Sequence, residues 1–125
     1  MVDINSLMED IAIAAFENNT KIASLALVAE TGNVVYQTKN WDLSHQTNII
    51  FDVVKGIREF IFNNLKFSVT STDPTRIVGV NEGGMGAVVI LRYKEGFLLS
   101  YVMPGGSPES ALNFLEHYIN ILNDM

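Results

Sequence analysis

An almost unbroken apolar run, IASLALVA, occupies residues Ile22 to Ala29, and Ser24 is its only polar member. The run is too short for a membrane-spanning helix and has the length of a β-strand. A strand with one face in solvent alternates apolar and polar residues, whereas a strand covered on both faces does not. The run therefore predicts a central strand in a sheet that lies between two layers of helices.

Three segments have apolar residues at helical spacing. The first covers residues 4–18, the second runs from Ser44 to Phe62, and the third begins at Ser107 and ends near Leu122. Ser107 is followed by Pro108, an order that suits the N-cap and first turn of a helix. Three helices do not fit on one face of a small sheet. We therefore expect the first and last helices to share one face and the middle helix to cover the other.

The remaining segments predict strands joined by turns. Leu65 to Val69 alternates apolar and polar residues, as expected of a half-exposed strand. The other predicted strands are Val34 to Thr38, Arg76 to Val80, Ala87 to Tyr93 and Phe97 to Met103. The tight turn Lys94-Glu95-Gly96 predicts antiparallel pairing of the last two. The sequence thus predicts an α+β fold, with one domain over residues 1–125 and a central antiparallel sheet of five or more strands.

Composition excludes several functional classes. The 8 basic and 14 acidic residues give a net charge of −6, which disfavours nucleic acid as a partner. The absence of cysteine rules out disulfides and thiolate chemistry. The N-terminal segment carries acids where a secretory signal carries basic residues, and no apolar run reaches the roughly 18 residues of a transmembrane helix. We therefore expect a cytoplasmic protein that does not span a membrane.

No arrangement of reactive side chains indicates an enzyme. The two histidines, His45 and His117, are far apart in the sequence and belong to no metal-binding motif. The glycine cluster from Gly83 to Gly86 leads into an apolar strand, whereas a phosphate-binding loop leads into a helix. The sequence therefore predicts a binding protein without a metal or cofactor.

Basic residues are unevenly distributed along the chain. Lys66, Arg76, Arg92 and Lys94 are half of the 8 basic residues, and all lie in or beside the later strands. Gathered on one side of the sheet, they would form a local basic face on an acidic protein. The alternative is that they protect exposed strands from edge-to-edge aggregation.

Aromatic residues offer a second candidate site. Tyr36, Trp41 and Tyr118 would form a groove for a Pro-rich peptide if the fold brought their rings together. The alternative for Trp41 is structural, because a large ring before a helix can pack against its first turn.

The second half of the sequence resembles the profilin family. Profilins carry a strand of the type G-[LI]-K-[YF]-x-[VI], a turn, and then an I-x-G strand. The matching residues are Asn64-Leu65-Lys66-Phe67-Ser68-Val69 and Ile77-Val78-Gly79. A glycine-bearing loop, two apolar strands, a Pro/Gly break and a terminal helix follow in both. The first helix has Met, Ile and Phe16 where eukaryotic profilins carry a Trp and a Tyr that bind polyproline. The resemblance is thus to divergent profilins, such as those of Asgard archaea.

This resemblance implies a monomeric protein of the cytoskeleton that binds an actin monomer and regulates filament nucleation and elongation. Lys66 matches the strand lysine of the family's actin-binding face. Arg76, Arg92, Glu116 and Asn120 are added as expected neighbours of that lysine. Pro-rich peptides and phosphoinositides are further candidate ligands.

A second family, roadblock/light-chain-7, has the same order of helices and strands. Its members are homodimeric scaffolds that regulate small GTPases. The long predicted second helix, Ser44 to Phe62, fits that family better than it fits profilin.

Overall fold

The computed structural model describes residues 3–38, 47–62, 64–70, 73 and 75–124. The three helices are α1 (Ile4–Glu17), α2 (Thr47–Val54) and α3 (Pro108–Asn123). The strands are β1 (Ile22–Ala29), β2 (Val34–Gln37), β3 (Glu59–Phe62), β4 (Leu65–Val69), β5 (Arg76–Val80), β6 (Ala87–Tyr93) and β7 (Gly96–Val102).

Within the described residues, all the strands belong to one antiparallel sheet of seven strands, in the order β2-β1-β7-β6-β5-β4-β3. The prediction of an antiparallel sheet with five or more strands is therefore confirmed. The apolar run that predicted it forms β1, which lies between β2 and β7 rather than at the centre. The central strand is β6, whose sequence AVVILRY begins with five apolar residues and is almost entirely buried.

Two separate cores cover the two faces of the sheet. On one face, Leu7, Met8 and Ile11 of α1 and Leu115 of α3 pack against the strands. On the other face, Ile50 and Val53 of α2 pack against aromatic residues, and these are Phe60, Phe62, Phe67 and Phe97. The predicted division, with the terminal helices on one face and the middle helix on the other, is therefore confirmed.

Helix α2 is much shorter than the sequence predicts. It ends at Val54, because Gly56 takes a positive φ of 116° and closes the helix. The N–H of Ile57 donates to the carbonyl of Asp52, and the N–H of Gly56 donates to that of Val53. This is a Schellman motif, in which glycine after the last turn satisfies the free carbonyls. The predicted helix to Phe62 is thus wrong, and strand β3 takes its place.

This correction removes the one feature that favoured the roadblock/light-chain-7 family. The prediction of a long second helix depended on residues beyond Gly56, and those residues form the hairpin of β3 and β4. The predicted start of that helix at Ser44 lies outside the described residues.

Gly79 allows the β3–β4 hairpin to pack closely on the rest of the sheet. The rings of Phe60 and Phe67 stack with their centroids 5.5 Å apart, and the Phe60 ring and Cβ of Phe67 lie against Gly79. A Cβ atom at position 79 would lie 2.5 Å from Cζ of Phe60. Such a distance is well inside van der Waals contact, so the side chain of Phe60 needs glycine beneath it.

Within the described residues, no helix is long and apolar enough to cross a membrane. In the same part of the chain, no group of three or more His, Cys, Asp or Glu residues could hold a metal ion.

Candidate functional site

No described helix covers the part of one sheet face that β3 and β4 form. Helix α3 packs mainly on β6, and Phe60, Phe62 and Phe67 turn toward the α2 side. The alternate residues of β3 and β4 therefore point to the α3 side. These residues, Glu59, Ile61, Lys66 and Ser68, are exposed or half-buried, and we call them the open face.

The polar groups of the open face are linked to one another. Lys66 Nζ lies 3.0 Å from Glu59 Oε2 across the hairpin. A hydrogen bond to this carboxylate raises the pKa of Lys66, and the negative charge of Glu59 raises it further. Ser68 Oγ donates to Glu82 Oε1 at 3.1 Å, and Asn81 Nδ2 donates to the Lys66 carbonyl at 2.9 Å. These contacts orient the polar side chains of β4 on the solvent-exposed side of the sheet.

Helix α3 borders the open face through an ion pair. Arg76 of β5 points to the same side, and its Nε lies 2.6 Å from Glu116 Oε1 of α3, although this N–H makes no aligned hydrogen bond. Asn120 is exposed one turn further along α3. We call Arg76, Glu116 and Asn120 the α3 flank. Between β5 and the start of α3, the surface forms a cleft of about 550 Å³.

Four of the predicted site residues thus lie on one side of the sheet, and Arg92 does not join them. Arg92 lies two residues after Ile90 and four after Val88, so it shares their side of the sheet, which faces α2 and is opposite to the open face. Its guanidinium carbon lies 4.9 Å from the ring centroid of Phe97, and its Nη2 forms an ion pair with Glu30.

The predicted basic face is a surface of mixed charge. Lys66 pairs with Glu59, Arg76 pairs with Glu116, and Arg92 pairs with Glu30 on the other side of the sheet. Lys94 lies apart from them in the β6–β7 turn. The open face and its border with α3 therefore carry charges of both signs.

Two of the three aromatic residues of the second candidate site, Tyr36 and Tyr118, pack against the core that lies between the terminal helices and the sheet. Tyr36 pairs with Leu27 across the sheet and is half-buried; burial and the nearby Glu9 raise its pKa. The ring of Tyr118 packs against Phe114 and His117 of its own helix, with centroids 5.4 and 5.7 Å away. Trp41, the third predicted member, lies outside the described residues.

Sequence analysis missed two carboxylates at this site: Glu59, which belongs to the open face, and Glu82, which accepts a hydrogen bond from Ser68. Glu59 fell within the predicted helix, and Glu82 belonged to a loop with no pattern of its own. Gly56 was the signal that could have revealed Glu59, because a glycine after a helical segment marks its end. No signal in the sequence places Glu82 beside Ser68.

No family model matches this sequence. Among curated proteins, it is 26% identical over 112 residues to Loki profilin-1 of a Lokiarchaeum species, which covers 81% of this chain and 84% of the relative. It is 29% identical over 93 residues to Odin profilin of Odinarchaeota yellowstonii, which covers 72% of this chain and 76% of the relative.

The fold agrees with these sequence similarities. A structure of LokiProfilin2 in complex with rabbit actin matches with a TM-score of 0.86 at 24% identity, over 100% of this chain and 99% of that one. Profilin IB of Acanthamoeba castellanii matches with a TM-score of 0.72 at 14% identity, over 86% and 89% of the two chains. The fold is therefore the profilin fold. The sequence is similar to those of profilins from Asgard archaea.

Proposed function

We propose that this chain binds monomeric actin, sequesters it, and regulates the nucleation and elongation of filaments. It acts as a stoichiometric binding protein rather than as an enzyme. The proposal is supported by structural similarity to LokiProfilin2 and LokiProfilin1, each solved in complex with rabbit actin, with TM-scores of 0.86 and 0.83.

The open face and the α3 flank are the proposed contact surface for actin. The observation that carries this assignment is the part of the sheet beside α3 that no described helix covers, where Lys66 of β4 and Arg76 of β5 both point to the α3 side. A stable protein interface buries about 800 Å² on each partner, so the surface would extend from β3 across to α3. Arg92 is left out because it lies on the opposite side of the sheet.

The mechanism follows from occlusion. A profilin seated on one end of the actin monomer blocks the contacts needed to form a filament nucleus, but leaves the other end free. Charged pairs on the contact surface would steer association and fix orientation more than they increase affinity. Because Lys66 and Arg76 already face carboxylates, the actin surface must offer both signs of charge to replace those pairs.

The proposed function also implies where the protein acts and which other ligands fit its surface. A protein that binds actin monomers acts in the cytoplasm as part of the cytoskeleton. Lys66, Arg76 and Arg92 each face a carboxylate, which disfavours a phosphoinositide headgroup at these residues. A Pro-rich peptide stays a candidate ligand at Tyr36 and Tyr118, which pack against the same core.

The time course of actin polymerisation tests this function. Increasing amounts of the protein should lengthen the lag before spontaneous polymerisation, because fewer monomers are free to nucleate. Lys66→Glu should weaken the effect, since it places a negative charge beside Glu59. Lys55→Glu is the matched control, because Lys55 is exposed just after α2, on the other layer of the molecule. An unchanged lag with the wild-type protein would contradict the proposal.

A further inference from the structure

The cleft between β5 and the start of α3 has an apolar floor. Val78 and Val80 of β5 line it from the sheet, and Leu112 of α3 lines it from the helix. These residues belong to the core between the terminal helices and the sheet, or pack against it. A concave surface of about 550 Å³ with an apolar floor is typical of a site that receives a ligand or a partner's side chain.

Polar side chains form the rim of the cleft. Glu109 and Asn113 are one turn apart on α3, so they project from the same side of the helix. On the sheet side, the rim consists of Thr70, Asp73 and Arg76. A side chain that enters the cleft therefore meets apolar groups at the floor and charged groups at the mouth.

The carboxylate of Asp73 is held in one orientation at this rim. Its Oδ1 accepts hydrogen bonds from the backbone N–H and the side-chain hydroxyl of Thr75, at 2.8 and 2.6 Å. Both hydrogen bonds lower the pKa of Asp73, and the positive charge of Arg76 lowers it further. Asp73 is therefore ionised at neutral pH and needs no reorientation to meet a cation.

Negative charge exceeds positive charge around the cleft. Arg76 is the only cation among the described residues that line it, and its Nε already lies 2.6 Å from Glu116 Oε1. Neither Asp73 nor Glu109 forms an ion pair with another described residue. Three carboxylates thus share one guanidinium, and the remaining negative charge favours a cation at the mouth of the cleft.

We propose that the cleft receives an arginine or lysine side chain from the surface of actin. This inference rests on the proposed function, because the cleft adjoins the α3 flank. The aliphatic part of the incoming side chain packs on Val78, Val80 and Leu112. Its cationic end faces the carboxylates of Asp73 and Glu109.

N-acetyl-arginine amide tests the cleft in the absence of actin. A titration followed by nuclear magnetic resonance should shift the backbone amides of Val80, Leu112 and Asn113. N-acetyl-citrulline amide has nearly the same shape without the charge, and it should bind at least about fivefold more weakly. No shift at these amides with the arginine compound, or equal binding of the two compounds, would overturn the inference.

Two variants of the protein connect the cleft to actin. Glu109→Gln should weaken binding of both the arginine compound and monomeric actin by about fivefold, because it removes a charge from the rim. Glu9→Gln is the matched control and should change neither, since Glu9 lies on α1 near Tyr36 of the distant edge strand β2. Urea denaturation of both variants checks that the fold is retained.

The outcomes separate this inference from the proposed function. Wild-type actin affinity in Glu109→Gln, or equal effects of the two variants, would overturn the inference and leave actin binding intact. Failure of the wild-type protein to bind actin would contradict the proposed function. The titration with the arginine compound would then still decide whether the cleft binds a basic side chain.

Discussion

Nε of Arg76 lies 2.6 Å from Oε1 of Glu116, which ties β5 to α3 at the border of the open face. The two side chains are 42% and 40% exposed. An ion pair whose side chains are this exposed to solvent contributes at most about 1 kcal/mol to the free energy of unfolding. The pair therefore matters more for the charge it presents to a partner than for holding the fold together.

Reversal of this ion pair separates binding from stability. The double substitution Arg76→Glu with Glu116→Arg keeps an opposite-charge pair, so the free energy of unfolding should change by less than about 1 kcal/mol. Actin binding should nevertheless weaken by about tenfold, because the signs presented to actin are exchanged. Urea denaturation and a fluorescence titration with monomeric actin measure the two effects. Wild-type affinity in the double variant would show that these charges do not contact actin.

Gly79→Val should destabilise the protein, because the new side chain would collide with Phe60. Overpacking of this kind costs about 1–3 kcal/mol in the free energy of unfolding. Gly83→Ala is the matched control, since a Cβ there meets only the side-chain oxygen of Asn81, at 3.1 Å. Urea denaturation of both variants checks the prediction. Equal stability of Gly79→Val and the wild type would mean that the Phe60 ring moves aside without cost.

Stability should fall in alkaline solution because of Tyr93. Burial raises the pKa of Tyr93 above its ordinary value of 10.0, and the charge of Glu95 adds to this effect. As pH rises past the ordinary value, the unfolded chain loses this proton before the folded protein does. Below the ordinary pKa, the free energy of unfolding keeps the whole contribution of Tyr93. It therefore decreases as pH rises from the ordinary pKa toward the folded-state pKa.

Tyr93→Phe tests this origin of the alkaline loss. Urea denaturation at about pH 9 and about pH 11 should show a smaller decrease in the variant than in the wild type. Part of the decrease should remain in the variant. Tyr36 and Lys66 also have raised pKa values, so their loss of protons lowers the free energy of unfolding as pH rises. Identical decreases in the two proteins would exclude Tyr93 as a cause.

Local patterns predicted most of the fold. The unbroken apolar run of β1 required helices on both faces of the sheet, and the structure has them. The prediction failed at α2, where apolar residues continue past the end of the helix. Ile57 and Phe60 fit a helical spacing as well as a strand, and only the conformation of Gly56 distinguishes the two.

The candidate site was less predictable because it depends on long-range pairing. Lys66 and Arg76 could be placed on neighbouring strands, but the side of the sheet that each residue faces depends on register. The register puts Arg92 over Phe97, on the opposite side. The acidic partners of these cations come from other elements, and no local pattern brings Glu116 to Arg76 or Glu30 to Arg92.

The purified protein should be a monomer. Its mass by light scattering should be close to the 13.8 kDa of one chain. A stable dimer is expected of a roadblock/light-chain-7 scaffold, whose second helix this chain does not have. A concentration-independent mass of twice this value would contradict the expected monomeric state.

Sedimentation velocity with monomeric actin tests the central claim most directly. Actin held under non-polymerising conditions and mixed with an equal amount of the wild-type protein should sediment as a single faster boundary, as expected of a one-to-one complex. Lys66→Glu should shift the mixture toward separate boundaries, whereas Lys55→Glu should not. Two separate boundaries with the wild-type protein, at about 100 µM of each component, would contradict actin binding by this chain.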